Sequence, residues 1–278
     1  MAELIRTSSY QANSVLDGKY GVLTKPDKDN QLIASMITRE MANRIIDDAP
    51  FDSHRKNQLK LLYSEANNFM CYGQFYELNV LHYSNLNVDQ LSIDEYLNLY
   101  LTKCDYISGV FLRNVALSGA VLASDNQSTL NAIGNYARNF GIGLNIINDM
   151  CDYLPLSKQD ALPSYKTPID QYGDIRNGRI FLPVFYALKF GNNEQRNYIL
   201  EMLNGESIFS EGRLIQLTDI LLATKAIQFT FFTAKKYMKE AKKYLHQLPK
   251  TTERDLLSIM ASSIRTNKFI HGFTNLNQ

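Results

Sequence analysis

Apolar residues return at helical spacing along almost the whole of this 278-residue chain, and no stretch alternates apolar and polar positions between Asn-Gly or Asp-Gly turns. A sequence patterned in this way buries its hydrophobic faces helix against helix, so an all-α fold is expected. Between residues 92 and 124 the stripe is carried by Ile107, Val110, Phe111, Leu117, Val121 and Leu122, with Gly109, Ala116, Gly119 and Ala120 beside it to permit close packing. Helices are expected near 2–17, 29–47, 53–80, 92–124, 128–153, 178–190, 193–203, 212–247 and 251–268. Breakers separate them at Lys25-Pro26-Asp27, Ala49-Pro50, Asp125-Asn126, Gly191-Asn192-Asn193, Gly205 and Pro249. Pro155, Pro163 and Pro168 keep the segment from Leu154 to Gly173 from forming one uninterrupted helix, and a loop there suits a lid over an anionic ligand.

With 45% hydrophobic content and no long linker, the sequence reads as a single domain over residues 1–278. Lys and Arg total 29 against 28 acids, a formal charge of +1, which excludes a nucleic-acid binder that relies on a strong basic field. The expected partners are small molecules and other subunits. Cys71, Cys104 and Cys151 are far apart and form no CxxC, so a reducing cytoplasm is expected in place of a disulfide or zinc framework. Met1 to Arg6 lacks the apolar core of a signal peptide, and no uninterrupted apolar run approaches the ~18 residues of a membrane span.

Chemistry concentrates in Gly143-Leu144-Asn145-Ile146-Ile147-Asn148-Asp149-Met150-Cys151-Asp152 and, after a polar segment, in Gly173 to Pro183. On a helix Asn145, Asp149 and Asp152 fall at i, i+4 and i+7, on one face of an otherwise apolar element. Carboxylates in apolar surroundings need a cation or hydrogen bonds to offset their desolvation, so this face is half of a candidate magnesium site, with a solvated or salt-bridged face as the alternative. Arg176 and Arg179 beside Asp174 either pair with it or contact an anionic ligand. Lys235, Lys236, Lys239, Lys242 and Lys243 read as a solvated helix face, and Phe229, Phe231 and Phe232 as core or interface. The four histidines show no metal spacing.

Asn148-Asp149-Met150-Cys151-Asp152 resembles the second Asp-rich motif of the trans-isoprenyl (polyprenyl) diphosphate synthase family, and Gly173 to Leu188 resembles the segment downstream of it. Gly73-Gln74-Phe75-Tyr76-Glu77-Leu78 is similar to the family's Gly-Gln-x-x-(Asp/Glu)-Leu helix, and residues 4–18 to its first-motif helix. The C-terminal stretches Ala241 to Pro249 and Arg254-Asp255-Leu256-Leu257 share the likeness. The departures are specific. In the first motif, Asn13-Ser14-Val15-Leu16-Asp17, only the final Asp17 is kept, and Gly21-Val22-Leu23-Thr24 stands where an Arg pair is expected. The family's Lys-Thr pair aligns without gaps to Ile107-Ser108; a shift of one turn would use Lys103-Cys104, and the ungapped frame is preferred because it also matches Tyr100-Leu101 and Gly109. The sequence begins at the first-motif helix, so the family's earlier helices are expected either to be missing or to come from another polypeptide.

The resemblance implies a helical bundle around a deep apolar cavity, isoprenyl diphosphates as ligands, and Mg²⁺ as cofactor. It implies Asp149, Asp152 and Asp17 as metal ligands, and Asn13, Gln74, Glu77, Asn145, Asn148, Lys166 and Arg179 as substrate-binding residues. Removing one carboxylate costs on the order of 4 kcal/mol of Coulomb attraction per close contact at an effective dielectric of ~20. Ordinary prenyl transfer is therefore expected to be impaired. The resemblance also implies a homodimer or a heterodimer with a second synthase subunit, and the alternative function is a non-catalytic or regulatory subunit pairing with an active synthase. A terpene cyclase is disfavoured, since Asp152 and Leu156 occupy the Ser and Glu positions of that class's metal motif.

Overall fold

The structure, a computed structural model, describes residues 1–16, 28–153, 172–205 and 210–263. Twelve helices are described: α1 Ala2–Leu16, α2 Lys28–Asp48, α3 Ser53–Phe75, α4 Ile93–Cys104, α5 Val110–Ala123, α6 Gln127–Cys151, α7 Gly173–Arg176, α8 Leu182–Phe190, α9 Asn193–Leu203, α10 Glu211–Ala223, α11 Ala226–Leu245 and α12 Thr252–Ser263. Among the described residues the fold is all-α, as the periodicity requires, with one isolated antiparallel bridge between His82 and Arg179.

Local chemistry sets the helix starts. Asp52 accepts the Arg55 backbone N–H at 2.9 Å to open α3, and Asn126 accepts from Thr129 at 3.1 Å to open α6. Ser92 and Glu95 close a reciprocal capping box at the head of α4, with bonds of 3.2 and 2.8 Å. Helix α6 is the central post, packed along α11 on one side and α5 on the other, while α1 and α2 form a hairpin laid against α3. The largest core cluster joins α4, α6, α8 and α10 through Tyr96, Tyr100, Ile146, Phe181, Phe185 and Leu217. Tyr96 and Phe185 stack with ring centroids 3.6 Å apart. The Tyr96 hydroxyl reaches the Ile180 carbonyl at 2.5 Å, tying α4 to the strand-like segment before α8.

Three departures from the expected helices matter for function. The 53–80 and 92–124 helices each contain one wide π turn, at Tyr76–Val80 and Asp105–Gly109. The second turn is clamped between neighbours that have no side chain at the contact. A Cβ on Gly73 would run into Ile107, and one on Gly141 into the Ser108 carbonyl. Arg138 holds the start of the turn by forking onto Asp105 at 2.7 and 2.5 Å. The expected 212–247 helix divides at Thr224 and Lys225, where Lys225 adopts φ 63°. The expected 178–190 helix starts at Leu182, because Gly178 and Ile180 instead bond to Tyr83 and Leu81, each at 2.8 Å. Residues 154–171, where a lid was expected, lie outside the described set.

Ile93–Ala123, taken through its π turn, is long and apolar enough to cross a membrane. Here it runs through the bundle, packed against α3 and α6.

Gly141→Ala should lose about 1–3 kcal/mol of stability through forced separation of α5 from α6. Gly119→Ala, where a Cβ meets nothing within 4 Å, should be neutral or gain up to about 1 kcal/mol from helix propensity. Urea unfolding of the two variants beside the parent measures the difference.

Candidate functional site

A cavity of about 750 Å³ opens between α1, α3, α5 and α6. Its walls are largely apolar: Leu16, Met70, Phe75, Leu78, Ile107, Phe111, Leu112 and Leu144. Amide side chains line the rest, with Asn13 from α1, Gln74 and Asn79 from the end of α3 and its π turn, and Asn145 and Asn148 from α6. Arg6 and Arg39 also line it, further back along the α1–α2 hairpin. Arg39 donates to the Ser8 hydroxyl at 3.2 Å and points a second nitrogen at the Cys71 sulfur at 3.8 Å, whereas Arg6 pairs with Glu3 at 2.9 Å. A buried side-chain oxygen of Asn13 has no hydrogen-bond partner, leaving an acceptor open to a donor on a ligand.

Beneath this amide rim is a buried charge cluster built around Lys103, a residue for which the preferred sequence frame assigned no role. Lys103 is 0% exposed. Its ammonium lies 2.9 Å from Asp149 Oδ2, 3.1 Å from Glu77 Oε1 and 3.2 Å from Asn145 Oδ1, and 3.9 Å from the Phe181 ring centroid. An ammonium carries three N–H donors, and three acceptors surround this one. Burial alone would drag its pKa down, but the carboxylates of Asp149 and Glu77 outweigh burial and hold it above the ordinary lysine value. Asp149 is pushed up as well: desolvation raises it, the nearby Asp174 carboxylate adds to the rise, and Lys103 offsets part of it. The Tyr100 hydroxyl donates to the same Asp149 oxygen at 2.7 Å.

The remaining predicted residues sit around this cluster. Glu77 Oε2 takes the Gln74 amide at 3.2 Å and lies 3.7 Å from Arg179, which also faces Asp174 at 3.6 Å. Asp152 is buried and accepts the Asp174 backbone N–H at 3.0 Å. The structure thus brings Glu77, Asn145, Asp149 and Arg179 together around Lys103 and Asp174, and places Asn13, Gln74, Asn145 and Asn148 on the cavity. Asp17 and Lys166 lie outside the described residues, as does the Gly21–Thr24 segment.

Magnesium requires several oxygens converging at about 2.0–2.1 Å in octahedral geometry. Here Asp149 faces an ammonium and a phenol, Asp152 faces a backbone amide, and Glu77 is shared among Lys103, Gln74 and Arg179. Among the described residues no group of three His, Cys, Asp or Glu side chains is placed to hold an ion. A divalent ion about 4 Å from the Lys103 ammonium would be repelled by about 8 kcal/mol at an effective dielectric of ~20. The described acids therefore do not fit a magnesium cage.

A clue to the cluster lay in the sequence of the α4–α5 helix, where Lys103 interrupts an apolar face running through Tyr100, Cys104 and Ile107. A lone lysine in such a stripe needs buried carboxylates opposite it, and Asp149 and Glu77 supply them. Removing one partner of a buried ion pair leaves the other uncompensated, so Lys103→Ala should cost about 3–5 kcal/mol, measured by urea unfolding.

Comparison with known proteins follows the same lines. The sequence pattern described as "Polyprenyl synthetase" matches residues 24–221. A prenyl transferase of Cyanophora paradoxa is 25% identical over 178 residues, covering 64% of this chain and 51% of that protein. Heptaprenyl diphosphate synthase component 2 of Bacillus subtilis is 24% identical, covering 65% of this chain and 49% of the relative. The chain thus spans about half the length of the curated relatives it matches. Among solved structures, a polyprenyl synthase from Caulobacter crescentus complexed with calcium and isoprenyl diphosphate superposes with TM-score 0.78 at 17% identity, over 95% of this chain and 75% of that one. A decaprenyl diphosphate synthase from Rhodobacter capsulatus gives 0.76 at 16% identity, over 95% and 76%.

Proposed function

The chain belongs to the polyprenyl synthetase family, and from that premise we propose that it acts on allylic isoprenyl diphosphates in isoprenoid biosynthesis, with its own capacity for prenyl transfer weakened. The observation that carries this reading is the cavity of about 750 Å³, a size suited to a small-molecule ligand, with apolar walls for a hydrocarbon chain and amide side chains for oxygen atoms. In this reading Asn13, Gln74, Asn145 and Asn148 contact the polar end of the ligand, and Leu78, Phe111 and Leu144 its chain. Lys166 and Arg179 are assigned to the diphosphate, and Asp17 to its metal, on family likeness.

Mg²⁺ belongs to the proposal as the counter-ion of the diphosphate itself, whose oxygens are its preferred ligands; when bound, it would stabilise charge on a departing pyrophosphate. The residues of this chain supply the other requirements. The apolar walls exclude water from an ionised prenyl group, and the amide rim orients the head of the ligand by hydrogen bonds without adding charge. With three free cysteines and no disulfide among the described residues, we assign the protein to the cytoplasm.

A second reading, a non-catalytic or regulatory subunit that pairs with an active synthase, has one further feature in its support. Helix α2 exposes Ile33, Ile37, Met41 and Ile45 at successive i, i+4 positions, with Met36 72% exposed beside them. A contiguous apolar stripe of this kind marks a surface that another protein covers.

Purified protein supplied with Mg²⁺, an allylic diphosphate and isopentenyl diphosphate should form an elongated product slowly. Leu78→Trp, which fills the cavity, should weaken ligand binding about tenfold or more, roughly 1.4 kcal/mol. No turnover and no diphosphate binding would reject the first reading. For the second, Met36→Glu together with Ile37→Glu should abolish co-purification with a motif-complete synthase from the same cell, and failure of the unaltered chain to co-purify would reject it.

A further inference from the structure

We infer that Lys103 is a tethered counter-ion that takes the place of a divalent cation at the α6 wall, and that through Asn145 it turns this wall into a hydrogen-bond donor. The inference deepens the function proposed above, on which it rests only for the identity of the ligand as a diphosphate.

The geometry carries it in two steps. All three ammonium hydrogens of Lys103 are matched, to Asp149 at 2.9 Å, Glu77 at 3.1 Å and Asn145 at 3.2 Å, and the Phe181 ring closes the remaining side at 3.9 Å. Lys103 therefore has nothing left to offer a ligand, and Asp149, which the Tyr100 hydroxyl also holds at 2.7 Å, is already neutralised by a covalently attached cation. An acid in this state gains little from Mg²⁺, which would have to displace a partner that cannot leave the chain.

The second step concerns Asn145. Its carbonyl oxygen faces Lys103, so its NH₂ group is the part turned away from the charge cluster, and Asn145 lines the cavity. A cation held below thus fixes an amide donor above, aimed where the oxygen of a phosphate group would rest. Asp149 would offer a metal-bridged contact at that wall; Asn145 offers a direct one. Lys103 is accordingly a positioning residue, because it acts on the ligand only through Asn145.

The test is the response of thermal unfolding to millimolar Mg²⁺, which needs no isoprenoid. The wild-type melting temperature should be unchanged by Mg²⁺. Lys103→Met should melt lower in the absence of metal yet gain about 2–4 °C with Mg²⁺, since Asp149 and Glu77 are then free to bind it. The charge-matched double variant Lys103→Met with Asp149→Asn should lose that gain. A merely structural lysine would leave the Mg²⁺ response untouched. A Mg²⁺-induced rise in wild-type protein that disappears in Asp149→Asn would overturn the proposal, as would a folded Lys103→Met variant with no response. Should Lys103→Met fail to fold, calorimetric titration of wild type and Asp149→Asn with Mg²⁺ decides alone: no binding to either supports the counter-ion role, and Asp149-dependent binding refutes it. Failure to bind any isoprenyl diphosphate would reject the function proposed above while leaving these melts to judge Lys103.

Discussion

The ion pair between Lys103 and Asp149 is the constraint around which the functional half of the molecule is arranged. An ammonium and a carboxylate, at 0% and 2% exposure, are tolerated only because every hydrogen and most lone pairs are met. Meeting them draws four elements to one point: α4 brings Tyr100 and Lys103, the π turn after α3 brings Glu77, α6 brings Asn145 and Asp149, and the segment before α8 brings Phe181. The packing of Tyr96 on Phe185 and its hydroxyl bond to Ile180 hold that last segment in reach. Charge satisfaction and core packing are here one requirement, since neither the lysine nor its acids could be buried without the aromatic layer beneath them.

Seen from the cavity, the consequence is a separation of roles. Glu77 and Asp149 are turned inward and paired with Lys103, while the cavity is lined by neutral amides and two arginines. Amides discriminate by direction and add no net charge, so such a site recognises where oxygen atoms lie more than how much charge they carry. A hydrocarbon chain, in contrast, is served as it would be in any apolar cleft, by Leu78, Phe111 and Leu144. In the proposed function, binding of the tail would thus be decoupled from activation of the head.

Much of the fold was legible because a helical period is a local signal. Boundaries such as Asp52 before α3, Ser92 before α4 and Asn126 before α6 are written in capping residues, and the apolar stripes between them leave no competing reading. The break at Lys225 was not legible, for it has neither glycine nor proline and arises from the packing of α10 and α11 against the bundle. Asp149 could be recognised as a buried-face carboxylate from its spacing to Asn145 and Asp152, but its partner could not be read from α6 alone. Spacing reports which residues share a face and says nothing of what the opposite helix presents. Lys103 lies four residues from Ile107, the position that an ungapped alignment favoured, and its meeting with Asp149 depends on the crossing of α4 over α6. Arg39 likewise reaches the cavity through the fold of the α1–α2 hairpin, a contact with no local signature.

The π turn at Asp105–Gly109 has an architectural consequence. A π turn takes up one residue more than an α turn, so it acts as a washer inserted in an otherwise regular screw. Each residue of an α-helix subtends about 100° around the axis. Winding all the residues there as regular α-helix would swing everything upstream through about that angle, carrying Tyr100 and Lys103 off α6, whereas deleting a single residue from the turn would leave both halves where they are. The turn thus keeps the half of the helix that carries Tyr100 and Lys103 in phase with the half that shapes the apolar cleft, with one residue more than regular winding would hold.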